Sequence, residues 1–482
     1  MSQYALSPRV SFIKAPLQSL PLSAELLNAQ DRLKRITMLW ASQRALDGQE
    51  AAALRHKAAL ELHKHYYLHI PFYRQICERM GVGEKADFET IVNDLLIPDD
   101  MFKSYPQSLL DEGDFDGMNR WVSSISTARL NFDTAGIETL DQWLAALKQV
   151  GLRLVFSSGA SGHLSFVPKD ERTWKAFAEM PFLGTRPLLS RWETLLVRQM
   201  ARVLPPSTFA YFIQRFGLGS LDGYFFDFSG GNQGMQLAMQ ELGKRTRSAT
   251  FLYNRTMSAT AVRAIVQGAR TEEEIRLVDE FLDTTVSKKE KNYEKLLQTL
   301  QRSIQRNHRV MLFGTPALML EVCRTVARLG LKLKLPKGSI VSHGGGWKSF
   351  TGIQVSEEEL LSRMQSTFGV KRAAIVEGYT MSEINGLMQK CSRGHFHIPP
   401  FLEPIVYDED LTPKSGDEIT GTLGIIDPFA TSYPGFVLTG DNVILKKTPC
   451  ECGLPGTWIM RVARSPGKDV KGCGGIMATV NA

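Results

Sequence analysis

A short loop rich in serine and glycine is the first feature of this sequence that could do chemistry. The stretch FSSGASGHLSF directly follows an apolar run at 152–156. Backbone N–H groups and serine hydroxyls in such a loop can converge on an anion, above all a phosphate. A flexible turn is the alternative, because glycine tolerates positive φ and serine hydrogen-bonds its own backbone. The candidate phosphate ligands are Ser157, Ser158, Gly159, Ser161 and Gly162.

Three further loops carry groups suited to ligand contact. In SHGGGWK, the glycines at 344–346 would let the backbone lie flat against a planar ring, with a tight turn as the alternative. In EGYTMSE, an aromatic ring, hydroxyls and the Glu383 carboxylate meet at a strand end, and Mg²⁺ prefers one or two carboxylates plus substrate oxygens. In LTGD, Asp441 could accept hydrogen bonds from a ribose diol, although such a tetrapeptide more often forms a hairpin turn.

Four of the six cysteines lie in the last fifth of the chain, and three of them form a metal-ligating pattern with a histidine. Cys391 begins CSRGHFH, and Cys450 and Cys452 frame CECG. With His397 they make a Cys₃His set, which suits tetrahedral Zn²⁺ because thiolate and imidazole are its preferred ligands. His395 is the competing ligand. Cysteines packed as small hydrophobic side chains are the alternative to a metal site.

The order of helical and strand patterns predicts an α/β protein. Apolar residues at three- and four-residue spacing predict helices through 24–80. Short apolar runs then alternate with helical stretches from 152 to 384, which indicates a mostly parallel sheet flanked by helices. The runs are RLVF and those at 248–254, 309–314, 338–346 and 373–380. After Pro399, short period-two runs divided by glycine and proline predict a smaller β-rich subdomain.

Length and composition limit the class of protein. A chain of 482 residues exceeds the size of a single core, so at least two domains are expected. The 57 basic and 50 acidic residues are spread along the chain, without the clustering that nucleic-acid binding needs. No apolar segment reaches the roughly 18 residues that span a bilayer, and the N-terminus lacks a signal-peptide pattern. We therefore expect a cytoplasmic protein with no nucleic-acid partner and no membrane span.

In order and spacing, the four loops resemble the motifs of the adenylate-forming superfamily of acyl-CoA ligases, peptide-synthetase adenylation domains and luciferases. SSGASG resembles its phosphate loop, HGGGWK its adenine-wall glycines, YTMSE its Tyr-Gly-x-Thr-Glu motif and TGD its ribose-binding aspartate. Thr380 departs from the third motif, because it stands where the superfamily has glycine. IPFYRQICERMGV is similar to a signature of the phenylacetate-CoA-ligase-like branch, and IPDDMFK and GGGWK resemble the acyl-protein synthetases of bacterial bioluminescence.

This resemblance implies activation of a carboxylic acid, most simply a fatty acid, as an acyl-adenylate at the expense of ATP. It implies that Glu383 holds Mg²⁺, and similar Cys and His positions in the phenylacetate-ligase-like branch support a structural zinc. Lys348 and Arg461 are candidate cationic helpers, with a solvated surface charge as the alternative for each. The implied nucleotide contacts are Ser157, Ser158, Gly159, Ser161, Gly162, Gly344, Gly345, Gly346, Tyr379, Ser382 and Asp441.

The end of the sequence differs from that of ordinary acyl-CoA ligases, which continue into a mobile C-terminal domain with a catalytic lysine. In the bioluminescence synthetases, an acyl group instead passes from the adenylate to a cysteine near the C-terminus and onward to a reductase. Cys473 resembles that cysteine, since it lies between glycines and near Lys468 and Lys471, and nearby cations lower a thiol pKa. An incidental tail cysteine is the alternative.

The resemblance therefore predicts acyl transfer to Cys473, with an acyl reductase or acyl-transferase as the protein partner. Two other functions stay open at this point: an acyl- or aryl-CoA ligase of the phenylacetate type, and a non-catalytic scaffold that binds a partner. The predicted organisation is a helical N-terminal region at 1–120, an α/β core at 121–398, a β-rich subdomain at 399–466 and a short tail at 467–482.

Overall fold

The computed structural model of the protein describes residues 17–159, 163–184, 217–346, 355–464 and 471–472, with a few positions between 199 and 212. The helices of the N-terminal part are α1 (Ala24–Gln43), α2 (Gly48–His69), α3 (Pro71–Arg79), α4 (Phe88–Asp94), α5 (Gln107–Asp111), α6 (Phe115–Ile125), α7 (Leu140–Gln149) and α8 (Glu171–Gly184). Those that follow are α9 (Gly234–Gly243), α10 (Ala259–Gln267), α11 (Glu272–Leu282), α12 (Lys289–Gln305), α13 (Pro316–Arg328) and α14 (Glu357–Phe368).

Strands lie between these helices and after the last of them. The first eight are β1 (Ile97–Pro98), β2 (Arg153–Gly159), β3 (Leu164–Lys169), β4 (Asp222–Gly230), β5 (Ser248–Thr256), β6 (Val310–Gly314), β7 (Ile340–Gly344) and β8 (Ile375–Tyr379). The others are β9 (Met388–Lys390), β10 (Phe396–His397), β11 (Glu403–Tyr407), β12 (Glu418–Ile426), β13 (Phe436–Lys446), β14 (Trp458–Arg464) and β15 (Lys471–Gly472).

Local sequence accounts for where several helices begin. The hydroxyl of Ser23 accepts from the N–H of Leu26 at 3.1 Å and caps α1. Thr139 and Gln142 form a reciprocal capping box at the start of α7. Helix α13 starts with proline at its first position, where the missing N–H costs nothing. These caps fix helix ends that hydrophobic periodicity alone leaves uncertain.

The chain forms two compact units, and each joins segments that are distant in sequence. The first unit contains the described residues of Met1–Phe156, Ser165–Thr185 and Met381–Lys468. The second contains those of Ser157–Leu164, Arg186–Thr380 and Asp469–Ala482. The predicted domain boundaries follow the order of the sequence, and they stay a prediction.

The first unit combines helices α1–α8 with antiparallel strands in the order β11-β12-β13-β14-β10-β9, and β1 lies parallel to β13. Its core contains the rings of Tyr66, Tyr73 and Phe436, which meet edge to face with centroids 5.3 to 6.1 Å apart. The predicted N-terminal helices are confirmed, and so is the β-rich character of the later sequence.

The second unit contains a parallel sheet in the order β5-β4-β6-β7-β8, on which helices α9, α12 and α13 pack. Phe225 of β4 joins Met235 and Met239 of α9 in a buried cluster. The predicted α/β fold class is therefore confirmed. Within the described part of the chain, every helix lacks the length or the apolar character needed to cross a bilayer.

Candidate functional site

In the second unit, the glycines of SHGGGWK follow β7 and the start of EGYTMSE ends β8, at the edge where open α/β sheets bind ligands. Gly344 lies opposite Gly378 in the parallel pairing, and a Cβ atom on Gly344 would lie 2.8 Å from the carbonyl oxygen of Gly378. Gly345 and Gly346 have φ values of +85° and +63°, which favour glycine. Tyr379 ends β8 and is half-buried. Strand packing and turn geometry therefore explain the three glycines of SHGGGWK.

Replacing Gly344 with alanine should destabilise the protein by about 1–3 kcal/mol, because the new methyl group would press on a backbone carbonyl that cannot rotate away. Urea or thermal unfolding would measure the change. Gly217→Ala is the matched control, since Gly217 has a φ of −82° and open space around its Cβ position. Equal stabilities of the two variants would contradict this account of Gly344.

The predicted phosphate loop begins on β2, where Ser157 is buried. The backbone of the chain's tail pairs with this loop, because β15 runs antiparallel to β2 with Lys471 opposite Gly159 and Gly472 opposite Ser158. The residue that precedes Cys473 in sequence is thus hydrogen-bonded beside the loop. Ser161, Gly162, Lys348 and Cys473 itself lie outside the described residues.

Glu383 and Ser382 lie in the first unit, and their side chains are almost fully buried. The hydroxyl oxygen of Ser382 has no hydrogen-bond partner among the described residues. A buried carboxylate next to a buried hydroxyl that lacks a partner is an oxygen donor set of the kind that Mg²⁺ or a phosphate prefers. These two residues therefore fit the predicted metal and nucleotide roles chemically.

Asp441 lies on β13, where it is buried and paired with an arginine that the sequence analysis did not select. Arg464 lies directly opposite it on β14, and its Nη1 is 3.0 Å from Oδ1 of Asp441. Arg461, the predicted cationic helper, is exposed and lies opposite Ile444. A register shift between Ile444 and Leu445 brings Arg464 opposite the aspartate, where the register of Leu445 and Ile459 would place Ala463. Sequence spacing carries no signal for such a shift.

Two tight turns position the predicted zinc ligands. In the first, the N–H of Cys391 donates to the carbonyl of His395 at 2.8 Å, and Gly394 has a φ of +84°. In the second, the N–H of Gly453 donates to the carbonyl of Cys450 at 2.9 Å, and Gly453 has a φ of +77°. Glycine at these two positions allows each turn to close on its cysteine.

The ligand atoms of Cys391, His397, Cys450 and Cys452 all lie within 4.8 Å of one another. The Sγ atoms of Cys391 and Cys450 are 4.0 Å apart, and Nε2 of His397 is 3.3 Å from Sγ of Cys452. Tetrahedral zinc with bonds of about 2.3 Å to sulfur would separate two sulfurs by about 3.8 Å. The donor set and its spacing therefore fit Zn²⁺.

The surroundings of these ligands also suit a metal. Burial lowers the pKa of His397 to about 4, and His395 adds to the shift, so the imidazole is neutral as a ligand must be. Burial raises the pKa of the Cys450 thiol, so a metal bound there would have to displace the thiol proton. His395 stacks on Trp458, with centroids 4.1 Å apart, and its Nδ1 is 3.3 Å from Sγ of Cys450. His395 thus supports a ligand cysteine from outside the four-residue set.

Comparison with known proteins gives one family match. The model of the family described as "Acyl-protein synthetase, LuxE" matches residues 238–480. A long-chain-fatty-acid–luciferin-component ligase of Aliivibrio fischeri is 26% identical over 198 residues, which is 41% of this chain and 52% of that protein. The ligase of the same description from Vibrio harveyi is 25% identical over 194 residues, 39% of this chain and 50% of that protein. The chain spans about half the length of these curated relatives.

Solved structures with a partial likeness include a 2-hydroxyisobutyryl-CoA ligase, which is 14% identical in sequence and superimposes with a TM-score of 0.44. The match covers 86% of this chain and 69% of the ligase chain. A luciferase-like enzyme from the mealworm Zophobas morio is also 14% identical, with a TM-score of 0.35 over 65% of this chain and 57% of its own.

Proposed function

Because the chain belongs to the LuxE family of acyl-protein synthetases, we propose that it activates a fatty acid with ATP and carries the acyl group on Cys473. The printed names of the two curated relatives, both long-chain-fatty-acid ligases, support the substrate class. The proposed partner is an acyl reductase or acyl-transferase that accepts the group. The proposed location is the cytoplasm.

In the first step, a carboxylate oxygen of the fatty acid attacks the α-phosphorus of ATP, the bond to pyrophosphate breaks, and an acyl-adenylate forms. The serine- and glycine-rich loop that begins at Ser157 binds the phosphates, and Gly344–Gly346 with Tyr379 face the adenine. Asp441 binds the ribose, and Glu383 with Ser382 provides oxygen ligands for Mg²⁺. The bound Mg²⁺ would neutralise charge on the phosphates. The protein's contribution is to orient both substrates and to stabilise charge that develops between them.

In the second step, the thiolate of Cys473 attacks the acyl carbonyl carbon, the bond to AMP breaks, and a thioester remains on the protein. One observation carries this assignment: the backbone of Gly472 pairs with Ser158 of the predicted phosphate loop. The residue next to Cys473 therefore lies beside the loop proposed to hold the phosphates.

The test of adenylate formation is a carboxylate-dependent exchange of radioactive pyrophosphate into ATP, run over a panel of fatty and aryl acids. We expect exchange with long-chain fatty acids. Exchange confined to aryl acids, with release of a CoA thioester when CoA is added, would favour the phenylacetate-type ligase. Absence of exchange with every acid would favour the scaffold.

We further propose that Cys391, His397, Cys450 and Cys452 hold a structural zinc ion. The donor set, the 4.8 Å limit on its ligand-atom separations and the two turns that present the cysteines support this proposal. Structural zinc binding contributes directly to folding free energy, because the site is not formed in the unfolded chain.

Zinc content and stability should fall together when a ligand is replaced. We expect about one zinc per chain in protein purified without chelators, and Cys450→Ser should lose the metal and melt several degrees lower. Metal analysis and thermal melting measure both effects. Cys323→Ala, at a buried cysteine of the second unit, should keep the zinc. Wild-type protein without zinc, or a Cys450→Ser variant that keeps it, would reject the site.

A further inference from the structure

A fully buried lysine lies beside the segment that carries Glu383. Lys169 is the last residue of β3, and its relative exposure is 0%. Its Nζ donates to Oδ1 of Asn385 at 3.0 Å and to the hydroxyl oxygen of Tyr433 at 2.9 Å. The ammonium also lies 5.0 Å from the ring centroid of Phe177. A buried ammonium is rare and costly, so its retention requires an explanation.

Both hydrogen-bond partners of this lysine are tied to the main chain around Glu383. The hydroxyl of Tyr433 donates to the carbonyl oxygen of Glu383 at 3.0 Å. The backbone N–H and the side-chain amide of Asn385 both donate to Oδ2 of Asp427, at 2.6 and 2.9 Å. Oδ1 of Asp427 accepts from the N–H of Phe429 at 2.9 Å. The segment 383–385 is therefore held at a carbonyl, an amide and a side chain.

Burial is energetically unfavourable for the charged forms of Lys169 and Asp427 in this network. Burial lowers the pKa of Lys169 to about 7, while the negative charges of Asp427, Glu383 and Asp170 act in the opposite direction. Burial raises the pKa of Asp427. Removing an ammonium and a carboxylate from water costs about as much as their attraction returns, so a buried pair adds little stability over an apolar one. What the network does provide is a fixed geometry, because each member constrains the next.

We propose that Lys169 is a positioning residue for Glu383, and that through Asn385 and Tyr433 it fixes the backbone from which the Glu383 carboxylate projects. This inference rests on the proposed function, in which that carboxylate holds Mg²⁺. Partners that orient a metal ligand affect metal affinity without binding the metal, and their loss typically costs about 10–100-fold. The effect of the lysine on the reaction thus passes through the position of its neighbour.

The test replaces Lys169 with methionine in the full chain and measures two quantities. The Mg²⁺ concentration that gives half-maximal pyrophosphate exchange should rise about tenfold. Hydrogen exchange at the backbone amides of residues 383–387 should become at least about tenfold faster, while amides of β12 keep their wild-type rates. A smaller folded fraction would lower the reaction rate without changing the half-saturating Mg²⁺ concentration, and global unfolding would accelerate both groups of amides.

Two further variants complete the test. Lys34→Met is the matched control, because the Lys34 ammonium lies 5.6 Å from the ring centroid of Phe429 and is partly exposed. It should leave both measurements at wild-type values. Tyr433→Phe removes a single hydroxyl and keeps the lysine, so it tests the same connection if Lys169→Met fails to fold. It should shift both quantities in the same direction by a smaller factor.

The outcomes separate this inference from the proposed function. The positioning role would be overturned if a folded Lys169→Met variant had the half-saturating Mg²⁺ concentration and the amide hydrogen-exchange rates of the wild type. Hydrogen exchange that becomes uniformly faster at all core amides, with an unchanged half-saturating Mg²⁺ concentration, would show that Lys169 only stabilises the fold. That result would also overturn the positioning role. Absence of pyrophosphate exchange in the wild-type protein would instead refute the proposed function, whichever amides respond.

Discussion

Replacing Cys473 with serine is expected to abolish labelling of the protein by a radioactive fatty acid and ATP, while carboxylate-dependent pyrophosphate exchange continues. Exchange should persist because the groups proposed for adenylate formation, from Ser157 to Asp441, all precede the tail. Labelling should disappear because a serine hydroxyl is far less ionised than a thiol, whose ordinary pKa is about 8.5, and the ionised form is the nucleophile. Acid-stable label that hydroxylamine releases identifies the thioester.

A second cysteine variant shows whether the effect is specific to the tail. Burial raises the pKa of the Cys323 thiol to about 11, so this residue stays protonated near neutral pH. Cys323→Ala should therefore label like the wild type. Label that persists in Cys473→Ser would assign the thioester to another nucleophile. A wild-type protein that resists labelling and transfers the acyl group efficiently to added CoA would favour the CoA ligase.

The parts of the fold that the sequence predicts are those set by local pattern. Three- and four-residue spacing of apolar residues over 24–80 predicts the helices that the structure shows as α1, α2 and α3. The apolar runs at 309–314, 338–346 and 373–380 predict β6, β7 and β8, because a strand of a parallel sheet is buried on both faces. Such signals are contained within one element, so a single sequence is sufficient to detect them.

Strand β4 is the informative exception, since it lies between β5 and β6 in the parallel sheet and is not among the apolar runs named in the sequence analysis. Its sequence contains Asp222 and Asp227, and aspartate is depleted in strands. The structure accommodates Asp222 with hydrogen bonds from Arg247, Ser248 and Ser303, which hold its pKa well below the usual range despite burial. These donors come from other elements, so the local pattern does not reveal them.

The same limit applies to the candidate site. The motif YTMSE indicates Glu383, but the contact between Lys169 and Asn385 joins positions 216 residues apart. The position of Arg464 opposite Asp441 depends on a register shift in one strand pair. Sequence spacing therefore indicates which residues could bind a ligand. The residues that orient them are identified only by contacts between segments distant in sequence.

Replacing Glu383 with glutamine is expected to lower pyrophosphate exchange by at least about tenfold without unfolding the protein. Glutamine keeps the size of the side chain and one oxygen, but it removes the negative charge that a hard cation prefers. Loss of metal-assisted charge stabilisation can cost several kcal/mol, and about 1.4 kcal/mol already corresponds to tenfold in rate. The melting temperature should stay close to that of the wild type, because a neutral amide is cheaper to bury than a carboxylate.

The same substitution at a surface ion pair provides the control for this variant. The Glu418 side chain on β12 is 56% exposed and lies 2.7 Å from Nζ of Lys446. Exposed pairs contribute about 0–1 kcal/mol, so Glu418→Gln should exchange pyrophosphate at the wild-type rate. Titration with Mg²⁺ then separates two explanations of a loss in Glu383→Gln. If Glu383 holds the metal, a higher Mg²⁺ concentration should restore part of the exchange rate of Glu383→Gln. A loss that no Mg²⁺ concentration changes would assign Glu383 a role apart from the metal. An exchange rate equal to that of the wild type would remove Glu383 from the site.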